Sequence, residues 1–271
     1  MTVPGTFDTS ARELIHAGLQ NLDEARSLFR QLSASGFDAA RCGLLLDALQ
    51  HVCDPDVALR NLVDIVNAQV SQGRALDDIM PDDTAFRQLV AVLGVSDAMG
   101  KLMRFRPDLV QAAATDHCNS HLYNHDQRRA HVLESVGADP NDRMSPTATM
   151  DLADAATALR RTYRNKLAAI IAQDTMSDDP IALQPRISSE LSDLADAALE
   201  GALAIARHEI TGSEHCRFAI IGMGKLGARE LNYVSDVDLI YVVKAADADT
   251  SQQQLYRIGT KMGTMLQRVC Q

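Results

Sequence analysis

Tryptophan is absent, and phenylalanine and tyrosine together make up only 4% of the chain. β-Sheets favour aromatic and β-branched side chains, so this scarcity argues against a chain built mainly of strands. A basic excess is also missing. Lys and Arg total 26 against 36 Asp and Glu, a net charge of −10, which excludes non-specific nucleic-acid binding by the chain as a whole. No run of about 18 apolar residues occurs, so nothing reads as a membrane span. MTVPGTFDTS has neither a basic nor an apolar stretch, so it does not read as a signal peptide. The five cysteines (Cys42, Cys53, Cys118, Cys216, Cys270) form no C-x-x-C pair. An odd, scattered set reads as reduced thiols in a cytosolic protein. No fixed-period repeat is visible, which leaves a solenoid unsupported.

What is there reads as mostly helical, for Ala and Leu are abundant. A length of 271 residues suggests two domains and a core that needs no disulfide or metal staple. Over 11–32, Leu14, Ile15, Leu19, Leu22, Leu28 and Leu32 recur at mostly helical spacings, and 56–70 repeats the pattern from Val57 to Val70. Asp54, Ser96 and Ser188 are candidate N-caps. GADPNDRMSP at 137–146 is the best internal loop, ahead of long helices over 151–173 and 187–210.

The texture changes after TGSEHC at 211–216. Residues 1–217 hold 20 Lys and Arg against 31 acids, whereas 218–271 hold 6 against 5. RFAIIGMG is a short apolar run ending in glycines, and DVDLIYVV is a second one rich in Val, Ile and Tyr. Strands are therefore expected near 218–223 and 236–243, with a brief helix between them and a longer helix over 251–270. The domain boundary is expected at 212/213. The fold class is mostly α with a small α+β segment.

Two features of that segment carry chemistry. In a strand, residues i and i+2 share a face, so Asp236 and Asp238 would aim two carboxylates at one spot. Hard oxygen donors of this kind suit Mg²⁺, which also binds substrate phosphates, and paired ions can assist phosphoryl-type transfer. Solvated acids at a strand edge are the plainer reading of such a pair. Directly after the first strand stands Gly222-Met223-Gly224-Lys225-Leu226-Gly227. A glycine-rich strand-to-helix turn lets backbone N–H groups approach phosphate, and Lys225 adds a compact positive charge. The turn also matches G-x-G-x-x-G, with Asp247 twenty residues beyond Gly227, so a dinucleotide-binding oxidoreductase is a competing reading. Against it, 228–235 is too short for a crossover helix, and the acids open the second strand instead of closing it.

The run GMGKLGARELNYVSDVDLIYVV at 222–243 resembles the signature of the glutamine synthetase adenylyltransferase family, approximately G-x-G-K-x-G-x-x-E-L-x-x-x-S-D-x-D-L-I, at every named position. Looser echoes lie at 87–110, 159–174 and 191–206. The resemblance implies a polymerase-beta-like nucleotidyltransferase core behind a long helical region. It implies Mg²⁺, with two ions in the complete site, and ATP or ADP as substrate or product. Glutamine synthetase is the implied protein partner, alongside a nitrogen-signalling regulatory protein. The family carries two such domains, one attaching AMP to a tyrosine of glutamine synthetase and one removing it by phosphorolysis with release of ADP. A motif behind about 200 helical residues resembles the removing half, and the attaching half is the alternative. By the same resemblance Asp236 and Asp238 are the metal-binding, catalytic carboxylates. Gly222, Gly224 and Lys225 cradle phosphate, Gly227 begins the short helix, and Ser235 steadies the aspartates. Glu230 and Asn232 match the motif, and a structural role suits each.

The family's third acid lies in a later segment resembling D-x-x-L-R-P-E-G, which this sequence lacks. The expectation is an N-terminal piece of a longer protein, with its nucleotidyltransferase core incomplete and little or no turnover alone. A non-catalytic helical module that binds glutamine synthetase or a regulator is the reading from another class. Three other groups carry blander readings. His117, His121 and His125, with Cys118, read as a solvated polar stretch before a transition-metal site. Arg160, Arg161, Arg164 and Lys166 read as a solvated charged face before a partner contact. Met99, Met103, Met262 and Met265 read as core filler.

Overall fold

The computed structural model describes residues 9–114 and 124–271. The chain divides into two compact units, one of 1–120 with 168–180 and one of 121–167 with 181–271.

The first unit is helical among its described residues. Its elements are α1 (Ala11–His16), α2 (Leu22–Ala34), α3 (Ala39–Leu49), α4 (Pro55–Ser71), α5 (Asp83–Val95), α6 (Asp97–Met103) and α7 (Pro107–Ala114). Polar side chains start most of these helices by accepting a hydrogen bond from the first turn. Ser10 and Glu13 form a capping box, Asp54 caps α4 just before Pro55, and Ser96 caps α6. The core is aliphatic: Leu59, Leu62, Ile65 and Val66 of α4 are buried with Phe86, Leu89, Val90 and Leu93 of α5. Met99 and Met103 are buried too, as expected of filler.

Two expectations here need correction. The stripe over 11–32 is not one helix, because the chain breaks between His16 and Leu22. Gly18 adopts φ +82°, and the carboxylate of Asp56 accepts hydrogen bonds from the backbone N–H groups of Gln20 and Asn21. Ser188 is not a cap either. It lies inside α10 (Pro180–Glu209), which continues through Pro185. Pro180 stands at the first position, where a missing N–H costs nothing, whereas Pro185 lies inside the helix and leaves the carbonyl of the exposed Ile181 without its intrahelical donor.

The second unit contains α8 (His125–Ser135), the first part of α9 (Leu152–Thr175), most of α10, and everything after it. Arg129 of α8 organises the 137–146 loop. Its guanidinium binds both carboxylate oxygens of Glu200, at 2.8 and 2.7 Å, and donates to the carbonyls of Pro140 and Asp142. Deeper in, Arg128 is 2% exposed and meets Glu190 at 3.3 Å. Burial holds the Glu190 carboxyl above its usual range, an effect that the Arg128 and Arg186 guanidiniums offset only in part. Of the basic group on α9, Arg160 donates to the Val269 carbonyl at 3.5 Å. Lys166 sits 3.0 Å from His131 and is pushed down to about 8, by burial first and Arg128 second.

After Gly212, at φ +86°, come β1 (Cys216–Gly222), α11 (Gly224–Ala228), β2 (Leu239–Ala245) and α12 (Gln252–Cys270). The order strand, turn, helix, strand, helix is the one expected. The two strands pair antiparallel, from Cys216 opposite Ala245 to Gly222 opposite Leu239. β2 begins three residues later than expected. One face of the sheet packs on α12, where Ile258, Met262, Leu266 and Val269 are buried beside the Phe218–Tyr241 ring pair at 5.3 Å.

The Arg128–Glu190 pair generates a testable asymmetry. A buried arginine cannot shed its proton, whereas a buried glutamic acid can gain one. Glu190→Ala is therefore expected to cost about 3 kcal/mol or more in urea denaturation followed by circular dichroism, and Arg128→Met distinctly less.

Candidate functional site

The register of the hairpin brings the glycine turn and the aspartate loop to one end of the sheet. Past the last rung, Gly222 opposite Leu239, the Met223 N–H donates to the Asp238 carbonyl at 2.8 Å. Asp238 therefore continues the ladder without belonging to β2, and Asp236 lies two residues earlier in irregular chain. The expectation that strand alternation aims both carboxylates is corrected accordingly: tertiary pairing, not the period of a strand, sets their place. Both aspartates are exposed. Neither side chain has a hydrogen-bonding or ionic partner among the described residues.

Each glycine of the turn has a separate structural reason. Gly222 closes β1. Gly224 takes φ +52°, and a Cβ there would stand 3.4 Å from Oδ2 of Asp238. That contact places the Asp238 carboxylate against the glycine turn, although the two residues are separated by the whole of α11 and the following loop. Gly227 does not begin the short helix, which starts at Gly224; a Cβ on it would come 2.5 Å from the Gly222 carbonyl oxygen, so only glycine lets α11 fold back this closely. Lys225 is exposed on α11, and its carbonyl accepts from the Glu230 N–H at 2.8 Å. Ser235 closes a small turn: its hydroxyl donates to the Asn232 side-chain oxygen, which also accepts from the Val234 N–H at 3.2 Å. Asn232 thus holds this turn together, and Ser235 orders the chain just ahead of Asp236.

Arg229 is the residue that sequence reasoning missed. It ends α11 in the left-handed region at φ +61°, the one such non-glycine among the described residues. That conformation costs roughly 1–2 kcal/mol for an L-residue. Its guanidinium reaches α10, donating to Ser189 Oγ and Asp193 Oδ1, each at 2.7 Å. Two residues on, the Leu231 N–H meets Ser192 Oγ at 3.4 Å, and the Leu231 side chain is buried. Leu226 is buried as well, so the exposed turn is anchored from beneath by one apolar residue on each side of Arg229. Nothing in the spacing of the motif marks position 229, because its partners lie about 40 residues upstream.

The donor set fits Mg²⁺: two solvent-facing carboxylates, neither paired with a cation among the described residues, one of them beside the glycine turn. His117, Cys118 and His121 lie outside the described residues. His125 is described and stands elsewhere in the second unit, near Asp193 and Asp196.

A family model described as glutamate-ammonia ligase adenylyltransferase matches residues 86–271. A protein of Bifidobacterium longum, named bifunctional glutamine synthetase adenylyltransferase/adenylyl-removing enzyme, is 68% identical over 265 residues, covering 98% of this chain and 25% of that relative. Proteins of the same name from Cutibacterium acnes and Mycobacterium avium are 32% and 37% identical, over 95% and 77% of this chain and 26% and 20% of theirs. The chain spans about a quarter of the length of the curated relatives it matches.

The two close approaches in the turn should separate experimentally. Gly224→Ala is expected to lose roughly 1–2 kcal/mol from its left-handed backbone. Gly227→Ala is expected to lose more, up to roughly 3 kcal/mol, because a carbonyl cannot rotate out of the way as a side chain can. Urea denaturation of both variants beside the unaltered chain checks the order.

Proposed function

The chain belongs to the glutamate-ammonia ligase adenylyltransferase family, and from that premise we propose that the hairpin end is the beginning of a nucleotidyltransferase site. In this reading 213–271 opens a polymerase-beta-like core behind the helical region of 1–212. The observation that carries it is the approach of the Asp238 carboxylate to the Gly224 turn, which sets one of the two acids beside the proposed phosphate cradle.

Asp236 and Asp238 are assigned as the catalytic carboxylates that hold Mg²⁺. When bound, the metal would screen charge on the phosphates and polarise the bond being broken. Gly222 and Gly224 are assigned as the phosphate cradle through their backbone N–H groups, and Lys225 offers the phosphate a mobile positive charge. Gly227 keeps α11 folded over the strand end, and Ser235 with Asn232 orders the loop that presents the two acids. The reaction assigned is removal of AMP from a tyrosine of glutamine synthetase. A phosphate oxygen attacks the phosphorus of the AMP–tyrosine diester, the bond from phosphorus to the tyrosine oxygen breaks, and ADP leaves while the tyrosine regains its proton. The removing direction is supported by the helical region of about 200 residues on the N-terminal side of the motif, the arrangement that the resemblance associates with the adenylyl-removing half. The attaching direction would use the same residues with ATP as donor. A nitrogen-signalling protein as regulator belongs to the same proposal and rests on the resemblance.

The test is Asp236→Asn combined with Asp238→Asn. Titration of the chain with Mg²⁺ and ADP, Mg²⁺ and ATP, or NAD⁺ should show binding of an adenine nucleotide that needs Mg²⁺ and is lost in the double variant, with none of NAD⁺. A full-length relative carrying the equivalent pair should lose phosphate-dependent ADP release from adenylylated glutamine synthetase by about a hundredfold or more. Its helical content should be unchanged, since removing two like charges relieves repulsion. Undiminished ADP release would reject the assignment. AMP transfer from ATP by the intact relative, lost in the double variant while ADP release is kept, would reassign the site to the attaching direction.

A further inference from the structure

A second group of metal-ligating side chains lies in the second unit, apart from the two aspartates of the turn. Asp193 and Asp196 are three residues apart on α10 and so share one helix face. His125 is the first residue of α8, whose start is held by the Asn124–Gln127 capping box. One potential ligand atom from each of the three lies within 4.8 Å of the other two. We propose that His125, Asp193 and Asp196 bind a first-row divalent metal ion through one nitrogen and two oxygens.

Charge comes first. Among the described residues the two carboxylates face the Arg229 guanidinium, and Asp126 stands 3.8 Å from the His125 ring, so with a neutral imidazole the cluster keeps a net negative charge. Glu200, also close to Asp196, is already matched by Arg129. Preorganisation comes second. Asp193 is 7% exposed and lies within a 30-residue helix, and its Oδ1 is held by Arg229 at 2.7 Å. An outer hydrogen bond of this kind orients a ligating carboxylate and leaves its second oxygen for the metal. The cluster is also open to solvent. The His125 side chain is 52% exposed, so an ion can enter from solvent and the ring can turn to meet it. With bonds of about 2.0–2.2 Å, tetrahedral ligand atoms stand about 3.4 Å apart, so binding an ion requires the three side chains to draw in from their present spacing of up to 4.8 Å. Three protein ligands leave one position for water.

The donor types set the choice of ion. Imidazole nitrogen with carboxylate oxygen suits Zn²⁺ or Mn²⁺, whereas Mg²⁺ prefers oxygen donors and retained water. The site therefore differs in chemistry as well as place from the one assigned to Asp236 and Asp238, and it stands whether or not that assignment does.

The probe is Zn²⁺ itself, added by titration calorimetry to metal-stripped chain, with Co²⁺ absorption reporting the ligand type. The unaltered chain should bind one Zn²⁺ that His125→Ala and Asp196→Asn each weaken by at least about tenfold, while circular dichroism shows both variants folded. Asp236→Asn with Asp238→Asn, and Cys118→Ser, should leave that ion in place. Co²⁺ should show visible bands without thiolate charge transfer, and excess Mg²⁺ should not displace Zn²⁺. Equal Zn²⁺ affinity in the unaltered chain and both cluster variants would overturn the proposal, as would loss of the ion in the Cys118→Ser variant alone.

Discussion

The antiparallel register of β1 and β2 governs the chemistry this chain can offer. It sets Gly222 opposite Leu239, so the segment leaving one strand and the segment entering the other are side by side. The hydrogen bond from Met223 to the Asp238 carbonyl extends that pairing by one step. Because side chains alternate along a strand, a shift of one residue would send the neighbouring side chains to the opposite face and carry Asp238 away from the glycine turn. α12 resists such a slip. Gly259 and Gly263 let it approach Val243 and Tyr241 closely, and its buried Ile258, Met262 and Leu266 match one face of the hairpin only.

A second constraint acts from below the turn. Arg229 accepts a left-handed backbone, and two short charge-assisted or polar contacts to α10 offset that strain. Asp193 is shared between this anchor and the cluster with His125 and Asp196. α10 also carries Glu190 and Glu200, which hold Arg128 and Arg129 of α8. One long helix thus supplies the counter-charges for the buried arginines of the second unit and for the arginine that fixes the turn. Glu190 and Glu200 serve different arginines, so substitutions there should behave as separate losses, whereas Asp193 and Asp196 share Arg229 and His125 and should be coupled.

Much of this was legible in advance. Helical periodicity located α4 to within a residue or so, Asp54 and Ser96 were readable as caps, and the loop at 137–146 announced itself by its glycine, prolines and Asp-Pro-Asn sequence. The change of hydrophobic period near residue 217 placed both strands. Other features were not readable, for definite reasons. The break at Gly18 is stabilised by Asp56, well over thirty residues away. α10 starts at Pro180, where an N1 proline costs little, and runs on past Pro185 although an interior proline normally ends or kinks a helix, so local rules point to a later start. β2 starts at Leu239 because the preceding residues are held in a side-chain turn by Asn232 and Ser235.

Local sequence by itself determined which residue types could do chemistry here: glycines where backbone must turn or touch, a lysine within that turn, and two closely spaced acids ahead of an apolar strand. These depend on neighbours a few positions apart, where covalent geometry and backbone sterics dominate. Tertiary structure alone decided that Asp238 faces Gly224, that Arg229 rather than any motif glycine ties the turn to a helix, and that His125 joins Asp193 and Asp196 from nearly 70 positions away. Such meetings depend on strand register and on which helix faces are buried together. Those are properties of the packed chain, because the free energy of burial belongs to whole surfaces and not to any short stretch of sequence.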